Sequence, residues 1–170
     1  MGRRIKQIKI SKIAKIDLAY ISGFLDGDGS VMVQVKRVKT NSRPWRLMFT
    51  ICFYQDTRHE KPLFWIQKKL GIGYISHRND GMTELRINGY EQTRKILEAM
   101  YPYVKFKKKQ IGYILQILNI LKSKKSLFDL KKKDRIRIAN AILKSRQETY
   151  QSGLKKMEKL KSDLKKIIEI

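Results

Sequence analysis

The chain has 170 residues, with 39 Lys or Arg against 15 Asp or Glu, a formal net charge of +24, and 42% of its residues hydrophobic. That length suits one folded domain, and that charge makes nucleic acid the leading partner. No apolar run approaches the roughly 18 residues of a membrane span, and the start, Met-Gly-Arg-Arg, lacks the apolar stretch of a secretory signal. Cys52 has no second cysteine to pair with, and His59 and His77 are too isolated for a zinc site. These features predict a soluble intracellular protein with no membrane partner, in the cytoplasm of a prokaryote or in an organelle.

Residues 1–16 alternate isoleucine with basic residues, which suits a short amphipathic helix or an arm lying along a phosphate backbone. The stretch from Asp17 to Ser30 then reads as a helix apolar on nearly all sides, with Ala19, Ser22 and Gly23 interspersed. Such a helix is expected to be buried, and its small residues allow another backbone to come close. It ends in two carboxylates, Asp26 and Asp28, alternating with Gly27 and Gly29. A helix C-terminus carries negative dipole charge, so carboxylates there call for a cation. A calcium loop of the EF-hand kind fails on spacing: counting from Asp26, the glycine position holds Val31 and the terminal glutamate position holds Arg37. A plain helix cap accounts for the glycines, but the apolar helix ahead of the carboxylates favours a catalytic metal site.

Val31 to Lys36 alternates with period two and predicts a strand, with Val31, Val33 and Val35 inward. Residues 37–44 read as a loop. Trp45 to Tyr54 repeats the alternation: Leu47, Phe49, Ile51 and Phe53 inward; Arg46, Met48, Thr50, Cys52 and Tyr54 outward. A helix follows from Pro62 to Leu70, with Pro62 in its first turn and Gly71 past its end. Strands at Tyr74–Arg78 and Met82–Ile87 flank a turn at Asn79-Asp80-Gly81. Asn88 is the expected N-cap of a helix over Tyr90–Met100, which Pro102 stops. A further helix carries a stripe of Ile111, Ile114, Leu115, Leu118 and Leu121. The lysine-rich remainder shows two more stripes, Ile136, Ala139, Ile142 and Leu143, then Met157, Leu160, Leu164, Ile167 and Ile168. These helices could pack on the core, cover a partner, or hold lysines against nucleic acid.

The outward sheet residues form a set with base-reading chemistry: Gln34, Lys36, Arg46, Thr50, Tyr54, Arg78, Glu84 and Arg86. Arg and Lys match guanine acceptors, Gln matches adenine, and Glu accepts from cytosine. A solvated polar face would look the same on the strands alone; the paired carboxylates and the charge favour DNA.

Ile21-Ser22-Gly23-Phe24-Leu25-Asp26-Gly27-Asp28-Gly29 resembles the signature of the LAGLIDADG homing endonucleases, and the element order agrees over roughly residues 15 to 121. The resemblance implies an α+β fold with an αββαββα core, a four-stranded antiparallel DNA-binding sheet and extra C-terminal helices. It divides a single domain, 1–170, into a basic arm (1–16), a core (17–121) and basic C-terminal helices (122–170). It implies Asp28 and the Gly27 carbonyl as metal ligands, Gln55 as the residue ordering the attacking water, and Lys107 beside the scissile phosphate. Arg58 or His59 is a further positive contact. The ion implied is Mg²⁺, with Mn²⁺ as a substitute and Ca²⁺ binding without supporting cleavage. One signature without a second copy implies a homodimer, its two-fold interface formed by Leu18, Ile21, Ser22, Gly23, Leu25 and Asp26. The implied activity is cutting of a long near-palindromic double-stranded DNA site across the minor groove, leaving 3′ overhangs. Two rivals share the fold: a maturase that binds intron RNA, and a DNA-binding regulator without cleavage.

Overall fold

The computed structural model describes residues 10–39, 43–122, 126–149 and 153–170. Helix α1 (Lys15–Asp28) leads into strands β1 (Gly29–Arg37) and β2 (Trp45–Asp56). Helix α2 (Lys61–Leu70), strands β3 (Tyr74–His77) and β4 (Met82–Asn88), and helix α3 (Tyr90–Met100) follow. Helices α4 (Lys108–Leu121), α5 (Lys132–Gln147) and α6 (Leu154–Ile168) complete the described chain. The fold is α+β, with a four-stranded antiparallel sheet in the order β1-β2-β4-β3. No helix among the described residues is long and apolar enough to cross a membrane. The described residues form two compact units, one of those up to 31 and from 50 to 106, the other of those from 32 to 49 and from 107 onward.

In the first unit, α1 packs against α3. Leu18, Ile21 and Leu25 of α1 join Ile51, Phe53, Leu85 and Ile87 of the sheet in a buried core. Leu63, Ile66 and Leu70 of α2 and Ile96, Leu97 and Met100 of α3 complete it. Each such side chain contributes on the order of 1.5–3 kcal/mol. Helix α2 begins and ends as its sequence predicts: Pro62 lies in the first turn, and Gly71 closes the last with φ 67° and its N–H on the Gln67 carbonyl. The β3–β4 hairpin has its turn where Asn79-Asp80-Gly81 predicts it, closed by Arg78 N donating to Met82 O at 2.8 Å.

In the second unit, α4 packs on α5 and α5 on α6. The lysine-rich helices therefore have real apolar faces. Ile111, Ile114, Ile117, Leu118 and Leu121 of α4, Ile138, Ala139, Ala141 and Ile142 of α5, and Leu164 and Ile167 of α6 are buried. Arg135 is buried among them, its Nη1 donating to Leu130 O at 2.7 Å and its Nε to Ile168 O at 3.3 Å.

Several expectations need correction. Helix α3 is capped by Gly89, at φ 111°, rather than by Asn88. The Asn88 side chain instead accepts from Thr50 Oγ1 across the sheet at 2.7 Å. Ile136 is exposed, because Ile138 and Ala141 carry the buried stripe of α5 with Ala139 and Ile142; Leu143 is half-buried. In α4, Ile117 is buried and Leu115 half-buried, and in α6 only Leu164 and Ile167 of the expected stripe are fully buried. The N-terminal alternation over residues 1–9 lies outside the described residues, and Ile10–Lys12 form a single 3₁₀ turn.

The largest correction concerns the far face of β2. Cys52 is fully buried and Thr50 is 2% exposed, although the alternation points both outward. Strand β2 lies inside the sheet, and its register sets Cys52 opposite Arg86 and Tyr54 opposite Glu84. Thr50 lies opposite Asn88 and bonds to its side chain. Glu84 is itself buried, paired with both Arg78 and Arg86.

Candidate metal site and nucleic-acid interface

The carboxylates of the signature have different fates. Asp26 is buried, and its Oδ2 accepts from the backbone N–H of Lys105 and, at 3.2 Å, of Phe106. It thus ties the end of α1 to the segment after α3 within the first unit. Asp28, the last residue of α1, is exposed and bonds to no described residue. Gly27 beside it is exposed too. Gly29 is required by packing: a Cβ there would lie 2.6 Å from Leu25 Cδ1 and 2.8 Å from the Leu25 Cα and carbonyl oxygen. Ser30 Oγ and Tyr54 Oη, 2.9 Å apart, link the start of β1 to β2.

Gln55 is half-buried near the end of β2, its Oε1 accepting from Asp56 N at 2.9 Å. The next turn, Thr57–His59, is braced from both sides. Asp56 holds Arg58 in a two-pronged ion pair, Nε to Oδ1 at 3.0 Å and Nη2 to Oδ2 at 2.8 Å. These bonds keep the Asp56 carboxyl well below the usual carboxylate range. Glu60 Oε2 pairs with His77 Nε2 at 2.8 Å and accepts from Thr83 Oγ1 at 2.7 Å, while Thr83 and Thr57 hydroxyls lie 3.0 Å apart. Neither Asp56 nor Glu60 stood out in the sequence, because their partners come from the turn geometry and from another strand. Of the two positive candidates, Arg58 is occupied by Asp56, and His59 is exposed.

The eight sheet residues separate into exposed and covered ones. Lys36, Arg46 and Arg78 are exposed, and Gln34, Tyr54 and Arg86 half-exposed. Thr50 and Glu84 are buried, so direct base contact by either is not what the structure offers. Glu84 is held between two guanidinium groups, Arg78 Nη1 on Oε1 at 3.0 Å and Arg86 Nε on Oε2 at 2.6 Å.

Helix α1 also turns differently from expectation. Of the six expected interface residues, Leu18, Ile21, Ser22, Leu25 and Asp26 are buried inside the chain's own fold, and Gly23 alone is exposed. Ser22 bonds back to the Leu18 carbonyl at 2.6 Å. The exposed face is Ile16 (79%), Tyr20 (57%), Gly23 and Gly27, spaced to form one stripe along the helix. A Cβ at Gly23 or Gly27 would meet nothing within 4 Å. At its N-terminal end the stripe borders an open apolar hollow of about 460 Å³, lined by Ile16, Asp17, Tyr20, Pro62 and Trp65. Apolar content all round thus serves two surfaces, one inside the chain and one outside.

A sequence model described as LAGLIDADG endonuclease matches residues 21–120. The chain belongs to the LAGLIDADG endonuclease family. It is 31% identical over 111 residues to DNA endonuclease I-CvuI of Chlorella vulgaris, covering 65% of this chain and 69% of that one. It is 29% identical over 115 residues to DNA endonuclease I-CreI of Chlamydomonas reinhardtii, covering 68% and 70%. The structure is similar to that of I-CvuI in complex with its target in the presence of Ca, with TM-score 0.68, 26% identity, and 90% and 95% of the two chains covered. It matches equally a structure of I-CvuI with the I-CreI target and Mg, in which the DNA is not cleaved. The family match takes in the signature, the whole sheet, Gln55 and Lys107, and stops before α5 and α6.

Proposed function

We propose that this protein is a divalent-metal-dependent, site-specific DNA endonuclease that acts as a homodimer on a near-palindromic target. The observation that carries the reading is Asp28: an exposed, unpartnered carboxylate at the end of the family's signature helix. The donors available there are oxygens, the Asp28 carboxylate and the Gly27 carbonyl, which suit a hard cation such as Mg²⁺. No group of three or more His, Cys, Asp or Glu able to hold a metal exists among the described residues. That fits Mg²⁺, which keeps waters and takes one or two carboxylates together with substrate phosphates. Held by Asp28 and the Gly27 carbonyl, the ion would supply Lewis-acid stabilisation of the charge that develops at the phosphate.

The chain's own residues supply the rest of the chemistry. Gln55 uses its Oε1 on the Asp56 amide, which fixes the side chain and leaves Nε2 to hold a water. Lys107 is assigned to charge stabilisation at the phosphate on the family pattern. Asp26 is assigned to positioning rather than to metal, since its Oδ2 is occupied by the amides of Lys105 and Phe106. The exposed stripe of Ile16, Tyr20, Gly23 and Gly27 supports the homodimer, because its glycines let a second α1 approach closely. A two-fold protein then reads a two-fold site. Cleavage across the minor groove with 3′ overhangs follows the family pattern.

The test is incubation of the protein with a random DNA library and Mg²⁺, followed by sequencing of the cut ends. Ends clustered at one near-palindromic site, and absent with EDTA, support the proposal. Specific retention of DNA with no cut ends would make the protein a binding module instead.

A further inference from the structure

We infer that Glu84 is a positioning residue that aims Arg86 at a base pair, and that Arg78, though equally basic and more exposed, belongs to the clamp and not to the readout. The inference rests on the sheet being the DNA-facing surface, as proposed above.

A guanidinium group offers five N–H donors in a planar fork, and reading guanine takes two parallel ones, one each to O6 and N7. Arg78 has spent three nitrogens: Nε and Nη2 on Asp80 at 3.1 and 2.6 Å, and Nη1 on Glu84 at 3.0 Å. Arg86 has spent only Nε, on Glu84 Oε2 at 2.6 Å. Its Nη1 and Nη2 bond to no described residue, and the side chain is 36% exposed. Holding Arg86 by Nε leaves the outer edge of the fork, with its two parallel donors, facing away from the carboxylate.

Glu84 is suited to hold and unsuited to read. Its side chain is 5% exposed, and it lies opposite Tyr54 on one side and Ser76 on the other. Both of its oxygens are taken by arginines. A cytosine amino group would have to displace one of them. A buried carboxylate is itself stable only when paired, so Glu84 and the two arginines form one unit. The fork of Arg86 is therefore fixed before DNA arrives, which lowers the ordering cost of binding. Asp80, in the hairpin turn, keeps Arg78 from competing for the same place.

The experiment is a cut-site library profiled with wild-type protein and with Arg86→Ala, Arg86→Lys, Glu84→Gln, Arg78→Ala and the double variant E84Q/R86A, each checked by thermal unfolding. Arg86→Ala is expected to relax preference at one position in each half-site, by on the order of 10- to 100-fold. Arg86→Lys, which alters no buried group, is expected to keep overall affinity and lose the same preference, because it keeps charge without the fork. Glu84→Gln is expected to relax that position and no other. The double variant should match Arg86→Ala alone, since a residue acting through another is not additive with it. Arg78→Ala should change no position other than the one Arg86 reads. The inference is overturned if Glu84→Gln leaves the profile unchanged or changes a different position, if its effect multiplies with that of Arg86→Ala, or if Arg78→Ala erases a preference at another position. Should Glu84→Gln fail to fold, unchanged preference in Arg86→Lys still overturns it. Arg46→Ala and Gln34→Ala serve as controls for the underlying reading. If they alter the profile while Arg86→Ala does not, only this inference fails; if no sheet variant alters it, the sheet is not the reading surface.

Discussion

Replacing Asp26 with Ala tests how the signature helix is joined to the rest of its unit. The carboxylate is buried and accepts two backbone N–H groups, those of Lys105 and Phe106. Hydrogen bonds to a charged group are worth about 1.5–3 kcal/mol each, and removing the acceptor leaves both donors without a partner. Allowing for partial rescue by water, the loss is about 3–5 kcal/mol. For a chain of this size that lowers the unfolding temperature by roughly 6–20 °C. Asp26→Asn keeps one acceptor oxygen and should lose less than half as much. Thermal unfolding at fixed pH measures the first quantity, and hydrogen exchange at the Lys105 and Phe106 amides locates it. An Asp26→Ala protein that melts within about 2 °C of wild type, with those two amides still protected, would refute the reasoning.

Three further outcomes are expected. Burial pushes the Glu84 carboxyl up, but its bonds to Arg86 and Arg78 outweigh that, and it stays below the usual glutamate range. The ion-pair stabilisation is therefore complete above the ordinary glutamate pKa of about 4.3 and is lost as pH falls through the lower folded-state value; the stability gap between wild type and Glu84→Gln, read by urea unfolding, should narrow only on acidification. Gly29→Ala places a methyl against the Leu25 backbone and should cost about 1–3 kcal/mol or more by the same measurement, because backbone atoms cannot move aside. Wild type should sediment at twice 20.1 kDa, and Gly23→Leu or Tyr20→Asp at the single-chain mass with the fold retained, since both positions face outward.

The elements were legible in the sequence where one rule governs one residue. Pro62 and Gly71 bracket α2 because a missing N–H and a positive φ admit few other residues. Gly89 displaced Asn88 as the cap for a reason outside that rule: Asn88 finds Thr50 across the sheet, and the backbone at residue 89 takes a positive φ. Alternation in β2 carries no information on burial, which depends on the cross-strand partners: Arg86 lies opposite Cys52, and Asn88 lies opposite Thr50 and bonds to it. In α1 the apolar content was plain, yet its division into an inner face through Leu18, Ile21 and Leu25 and an outer one through Ile16, Tyr20 and Gly23 had no periodic signal. The place of Asp28 at the exposed end of α1 follows from the signature. The partners of Asp26 do not, because they lie 79 and 80 residues away.

If Asp28 serves metal-dependent cleavage and not DNA binding, as proposed, the two activities separate when its charge is removed. The most direct measurement compares wild type and Asp28→Asn on one cognate duplex, reading cleavage with Mg²⁺ and affinity by fluorescence anisotropy with Ca²⁺. The substitution removes one charge at an exposed, unpartnered carboxylate. Cleavage should be abolished and affinity kept within a few-fold. Cleavage at the wild-type rate by Asp28→Asn would contradict this role for Asp28.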